Sequence, residues 1–246
     1  MSNWQLETAR LTVFVTPEFV APASLWRDCV GDDPETSTKQ KQIATTIEIG
    51  GLGEGRLTLQ IQPMRVDWVY EAPGIGSENG LPPVLGPFPA ATEPLLQLGR
   101  KWVGTDKFPE TPRIALGLVL LSATHDRMTG YEELAGFVEG VPKEPTATDF
   151  SYQVNLPRDS RAGIVGLAIN RVSKWSVGMY KLVAVTAGAL NQVVAPEYVS
   201  LRLELDINTQ PSFSGPIPHD RIPRLLEDLC DGAKEICRDG VKRRDE

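Results

Sequence analysis

Histidine and cysteine are scarce: the chain of 246 residues holds two of the first and three of the second. The cysteines, Cys29, Cys230 and Cys237, are odd in number, and their spacing matches neither a disulfide framework nor a zinc motif. Reduced, buried thiols are expected, because an unpaired cysteine packs as a small hydrophobe, and with them a reducing compartment. No apolar run reaches the roughly 18 residues that a membrane span needs. The longest, Ile114 to Leu121, has the length of a buried strand. The first residues, Met1 to Glu7, show neither the basic start nor the apolar segment of a secretory signal. No Asn-x-Ser/Thr acceptor occurs. A cytoplasmic protein without membrane contact is therefore expected. Positive charge is also short, with a formal net charge of −7 and a sequence pI near 5.0. The one dense basic run, Lys242-Arg243-Arg244, leads straight into Asp245-Glu246. Without a basic footprint, binding to a phosphate backbone is not expected.

Catalytic signatures are missing too. There is no Gly-x-Ser-x-Gly to expose a hydrolase serine and no His-Glu-x-x-His. The run Gly50-Gly51-Leu52-Gly53-Glu54-Gly55 invites a phosphate-loop reading, but a phosphate loop opens a helix, and Arg56 to Gln62 alternates like a strand. A hairpin turn is expected there. Both histidines precede an aspartate, in His125-Asp126 and His219-Asp220. Imidazole with carboxylate suits a divalent metal or general-base chemistry. Each pair also stands where a helix is about to begin, and there an aspartate is an ordinary cap. No cofactor and no metal are expected.

What is present is a core and a pattern. Hydrophobic residues make up 41% of the chain and charged residues 23%, enough to bury a sizeable interior. Leu11, Val13 and Val15 alternate as an opening strand. Ser24 then starts a short helix with Leu25, Trp26 and Cys29, and a polar loop spans Gly31 to Gln42. A meander follows: Ile47 and Ile49, then Leu57, Leu59 and Ile61, then Val66, Trp68 and Tyr70. Its other face carries Thr58, Gln60 and Gln62, which indicates an antiparallel sheet covered on one side. Thr92 and Pro94 open a helix with Leu95, Leu98 and Trp102 inside. Ile114 to Leu121 reads as a central strand, and Thr129 with Glu132 as a capping box. Strands are expected over 150–156, 164–172 and 199–207, while 175–190 is ambiguous. Asp220 and Pro223 open the strongest helix, with Leu225, Leu226, Leu229, Ala233 and Ile236 on one face and Gly240 past its end. Leu229 belongs to the buried stripe of that helix, and Asp228 is assigned to its solvent side.

Both parts of the chain thus read strand, short helix, several strands, helix. The expected fold is α+β, with antiparallel sheet packed by helices on one face, in a single unit over 1–246 with possible halves 1–108 and 109–246. The order resembles that of the TATA-binding-protein-like fold, an analogy of element order alone. The closing passage, Leu201 to Asn208 leading to Leu225-Leu226-Glu227-Asp228-Leu229, resembles a group of uncharacterised, sporadically distributed bacterial proteins. That resemblance covers about the last fifth of the chain and implies no activity and no site residue.

Two features suit recognition. On the last strand Arg202, Glu204, Asp206 and Asn208 point one way, opposite Leu201, Leu203, Leu205 and Ile207. Glu204 and Asp206 are neighbours there and present an acidic surface that suits a cation or a positively charged partner. The Pro- and Gly-rich stretch 72–91 is long for a connection and carries Leu81, Val84, Leu85 and Phe88, apolar groups suited to partner contact. The leading reading is a non-enzymatic binding or protein-interaction protein, with a protein or small ligand as partner. The alternative is an enzyme using His125 or His219 with Glu204 and Asp206.

Overall fold

The chain's strands form one antiparallel sheet. The computed structural model describes residues 3–74, 81–144, 146–184 and 193–241, and gives only the backbone at 181–184 and 193–197. In chain order the elements are β1 (Gln5–Phe14), α1 (Leu25–Val30), β2 (Thr36–Gln40), β3 (Thr45–Leu52), β4 (Gly55–Gln62), β5 (Arg65–Glu71), β6 (Gly86–Pro87) and α2 (Glu93–Val103). Then come β7 (Arg113–Thr124), α3 (Arg127–Leu134), β8 (Ser151–Asn155), β9 (Arg158–Asp159), β10 (Ala168–Ala184), β11 (Val193–Thr209) and α4 (Ile222–Asp239). The sheet order is β2-β3-β4-β5-β1-β7-β11-β10-β8, with β6 beside β1 and β9 beside β10. β1 and β7, the first strands of the two expected halves, lie next to each other in the middle.

Among the described residues, α1 to α4 all cover the same face. Gly99 of α2 sits on Leu11, Trp26 of α1 on Gly50, Gly130 of α3 on Val177, and Gly232 of α4 on Ile207. Each contact is made by a strand position that points inward. The strands fill this side with Leu6, Leu11, Leu57, Leu59, Trp68, Leu120, Trp175 and Leu203, all fully buried. Each such large side chain contributes about 2 kcal/mol by leaving water. α4 supplies Leu225, Leu229, Ala233 and Ile236 from the stripe expected of it.

The glycine run makes the hairpin turn that its flanks predict, with Leu52 paired to Gly55 and Gly53 at φ 55°. Several local expectations are corrected. The polar stretch before β3 contains an exposed edge strand, β2, because alternating Thr and Ser can pair with β3 without burying anything. Ile47 and Ile49 pair with Gln60 and Thr58, so they share the polar, uncovered side instead of the core side. The ambiguous region resolves into one long strand: β10 continues from Ala168 through Trp175 to Ala184, paired with β11 for most of its length. Residues 185–190 lie outside the described residues. α3 is capped by Asp126, whose carboxylate accepts from the Thr129 backbone N–H at 2.8 Å, and not by Thr129.

Asp228 is the largest local departure. It is 4% exposed. Its carboxylate accepts from Arg158 Nη2 at 2.6 Å, Ser160 Oγ at 3.0 Å and the Arg161 backbone N–H at 2.7 Å. Burial alone would raise its pKa, but Arg158 and the Arg161 N–H outweigh that and hold it below the ordinary carboxylate range. The segment after β9 is fastened to α4 by this carboxylate.

Candidate functional site

Among the described residues no helix packs on the face opposite α1 to α4, and strand register decides what stands on it. Residues directly opposite in an antiparallel pair project to the same side, so its rows can be read across the sheet. Arg202, Glu204, Asp206 and Asn208 of β11 stand together on it, as strand alternation predicts. Arg202 donates from Nη1 to Glu7 Oε2 at 2.7 Å and from Nε to Glu204 Oε1 at 3.1 Å. Burial opposes its charge, yet the Tyr180 hydroxyl, Glu7 and Glu204 hold its pKa above the ordinary arginine value. Lys174 Nζ lies 3.6 Å from Glu204. Asn208 is buried: its amide donates to Asp206 Oδ1 at 3.0 Å, and its own oxygen accepts from Arg113 and Asn170.

The expected acidic surface is therefore compensated. Arg10, Arg56, Arg65, Arg113, Lys174 and Arg202 share this face with Glu7, Asp67, Glu71, Glu204 and Asp206. The protein's net negative charge resides elsewhere. Nor does the surface adjoin α4, which packs on the opposite side of β11.

At the middle of the face the sheet has a gap. Gly117 of β7 lies between Arg10 of β1 and Asp206 of β11 in one cross-strand row. With no side chain at 117, the Arg10 guanidinium leans over the backbone, its Nε and Nη2 each 3.6 Å from where a Cβ would stand. A depression of about 370 Å³ results, floored by Val69, Gly117, Val119 and Val172 and rimmed by Thr8, Arg10, Gln153, Lys174, Glu204 and Asp206. That volume falls within the range of small-molecule sites.

No family model matches this chain, and no curated protein or solved structure is significantly similar to it. The reading of the site rests on its own geometry.

The other sequence candidates do not join this constellation. Leu85 and Phe88 are strapped to β1 by backbone bonds, from Leu85 N to Leu6 O at 2.7 Å and from Phe88 N to Trp4 O at 2.9 Å. Both are half-buried against the core. Leu85 reaches the helix-side position at Gly55, and Phe88 lines a separate hollow with Trp4, Phe137 and Cys237. They sit behind the sheet, not beside Arg202.

The two His-Asp pairs lie at opposite ends of β7. His125 follows Thr124 with its ring exposed and its Nδ1 3.0 Å from Asp126. The Thr129 N–H, and then His125, hold the Asp126 pKa down at about 2. His219 sits near the start of β7, where Ile217 N bonds Thr111 O at 2.8 Å, and its ring leans on Phe108. A 12-residue strand at 3.3 Å per residue separates them by about 40 Å. All three cysteines are free and buried. Burial pushes the Cys29 thiol up to about 12 and raises the other two, the reverse of what a nucleophilic thiol needs. Among the described residues, no group of three or more His, Cys, Asp or Glu could hold a metal ion, and no helix is long and apolar enough to cross a membrane.

Sequence reasoning missed Arg10 and Gly117. Arg10 was hidden because the opening strand was recognised only from Leu11, whereas β1 begins at Gln5. Gly117 carried a signal: a lone glycine inside an apolar strand marks a bulge or a close approach of other groups.

Proposed function

We propose that the chain is a non-enzymatic binding protein, working in the cytoplasm, whose recognition surface is the uncovered face of the sheet around Gly117. The observation that carries this reading is the segregation of the two faces. Helices α1 to α4 all pack behind the sheet, while the front keeps a depression rimmed by charged groups of both signs. Arg202, Glu204, Asp206 and Asn208 belong to that surface. The interleaving of cations and carboxylates favours a protein or small ligand with both kinds of charge over a polyanion. The alternative, an enzyme built on His125 or His219 with Glu204 and Asp206, draws no support from two histidines held apart at the ends of β7.

In the same reading, halves 1–108 and 109–246 are pseudo-repeated units in the TATA-binding-protein-like order. Support comes from the pairing scheme. The last long strand of each half returns to its first, β5 to β1 and β11 to β7, and the two first strands meet at the centre.

Affinity capture from lysate with three baits tests the surface: the wild-type chain, Glu204→Gln/Asp206→Asn, and Glu227→Gln on the helix side. The open-face bait is expected to lose a captured species that the other two retain, with all three melting together. Equal capture by all three removes the open face as a protein-docking surface.

A further inference from the structure

We infer that the depression over Gly117 is a binding site for a small zwitterion, an α-amino acid with an apolar side chain. This rests on the reading of the open face as the recognition surface and names what its centre takes. The argument begins with which charges are already satisfied. Glu204 is engaged by Arg202 and Lys174, and Glu7 by Arg202. Asp67, almost fully buried, accepts from Thr12 Oγ1 at 2.5 Å and Arg65 Nη2 at 2.9 Å on its Oδ1. Arg10 reaches that same oxygen only at 4.0 Å from Nε, with its side chain 47% exposed. Its guanidinium therefore keeps its donors for something else. Asp206 is in the matching position: among the described residues it has a single hydrogen bond, from the Asn208 amide to Oδ1.

These two underused groups have opposite charge and flank the residue without a side chain. Their backbones stand two strand spacings apart, about 9.5 Å, with Gly117 between. A carboxylate meets Arg10 with the two-pronged geometry that a guanidinium offers, and the Thr8 hydroxyl stands on the same strand face two residues away. An ammonium meets Asp206. A molecule that bridges both carries its charges a few ångströms apart, as an α-amino acid does. Neither a simple anion nor a simple cation fits as well, because each would face the unlike and the like charge together. The floor sets the remaining preference: Val69, Val119 and Val172 offer apolar contact and no hydrogen bond to a side chain.

Calorimetric titration of the full chain tests this with L-leucine, L-valine and L-phenylalanine, and with two fragments of leucine: 4-methylpentanoate, which lacks the amine, and isopentylamine, which lacks the carboxylate. At least one amino acid is expected to bind, with each leucine fragment weaker than leucine by about tenfold or more. Arg10→Gln should weaken leucine by about tenfold and leave isopentylamine unchanged. Asp206→Asn should weaken leucine similarly and spare 4-methylpentanoate. The fragment series uses the wild-type chain alone and so decides the matter even if a variant folds poorly. No heat from any amino acid at about 10 mM overturns the proposal, as does 4-methylpentanoate binding as tightly as leucine. Either result leaves the capture experiment standing, so a wrong ligand class and a wrong surface are told apart.

Discussion

The two faces of this sheet are made by the same strands, and they obey different rules. β11 gives Leu201, Leu203, Leu205 and Ile207 to the helix side, at 0–3% exposure, and Arg202, Glu204, Asp206 and Asn208 to the other. On the covered face volume decides what is tolerated, since close-packed interiors feel a single added or removed methylene. On the open face charge pairing decides, together with the missing side chain at Gly117. The glycines show this most directly. At Gly55, on the helix side, an added Cβ would stand 2.1 Å from the Tyr70 ring and 2.7 Å from Leu85; at Gly117, on the open side, the nearest atoms are at 3.6 Å. Both are strand glycines, but the first is a packing necessity and the second leaves room.

The sharpest break between the faces is expected from Leu229→Ala, which empties a fully buried site under α4 and should cost about 4 kcal/mol in denaturant unfolding. Next comes Asp228→Ala, at about 3 kcal/mol, because it strands the largely buried Arg158 beside the inward stripe of α4. A loss below about 1 kcal/mol would show the Asp228 lock to be ornamental. The same lock predicts a pH dependence. The Asp228 pKa is depressed in the folded state, so its stabilisation is fully present above the ordinary carboxylate range near pH 4 and is lost as pH falls toward the folded value. Asp228→Asn should remove that part of the acid slope, and parallel slopes for the two proteins would contradict it. Gly55→Ala should cost about 2 kcal/mol by overpacking against a rigid ring, and Gly117→Ala less than about 0.5 kcal/mol. Similar losses at both positions would erase the distinction between the faces. Smallest of all, Glu204→Gln with Asp206→Asn should leave the melting temperature within about 1 °C of wild type, since the amides keep hydrogen-bonding oxygens at both positions and Arg202 keeps Glu7.

Much of this arrangement is legible in the amino-acid sequence. The stripe of α4, the central position of Ile114 to Leu121 and the alternation of β11 all follow from side-chain period, which tertiary context did not override. Two kinds of feature were hidden. β2 has no apolar residue and gains its strand state wholly from pairing with β3, so periodicity could not announce it. The solvent-side assignment of Asp228 overlooks that position 228 falls three residues after Leu225 and four before Gly232, within the inward stripe. Arg158 and Ser160 make a buried carboxylate tolerable there. The slot over Gly117 was hidden because it depends on neighbours more than 80 residues away along the chain in both directions, Arg10 and Asp206, which only strand order brings together.

The central placement of β1 and β7 has a consequence for the ribosome. β1 is made first and can close a partial sheet with β5 once residue 71 has emerged, but its other edge waits for residues 113–124. When β7 arrives, its own far edge waits in turn for β11, which begins at 193. At ordinary translation rates the first wait spans about 40 residues and the second about 70, each lasting seconds. An unpaired, largely apolar edge exposed for that long is a template for wrong partners. Synthesis from the N-terminus therefore builds this sheet outward from its most vulnerable seam.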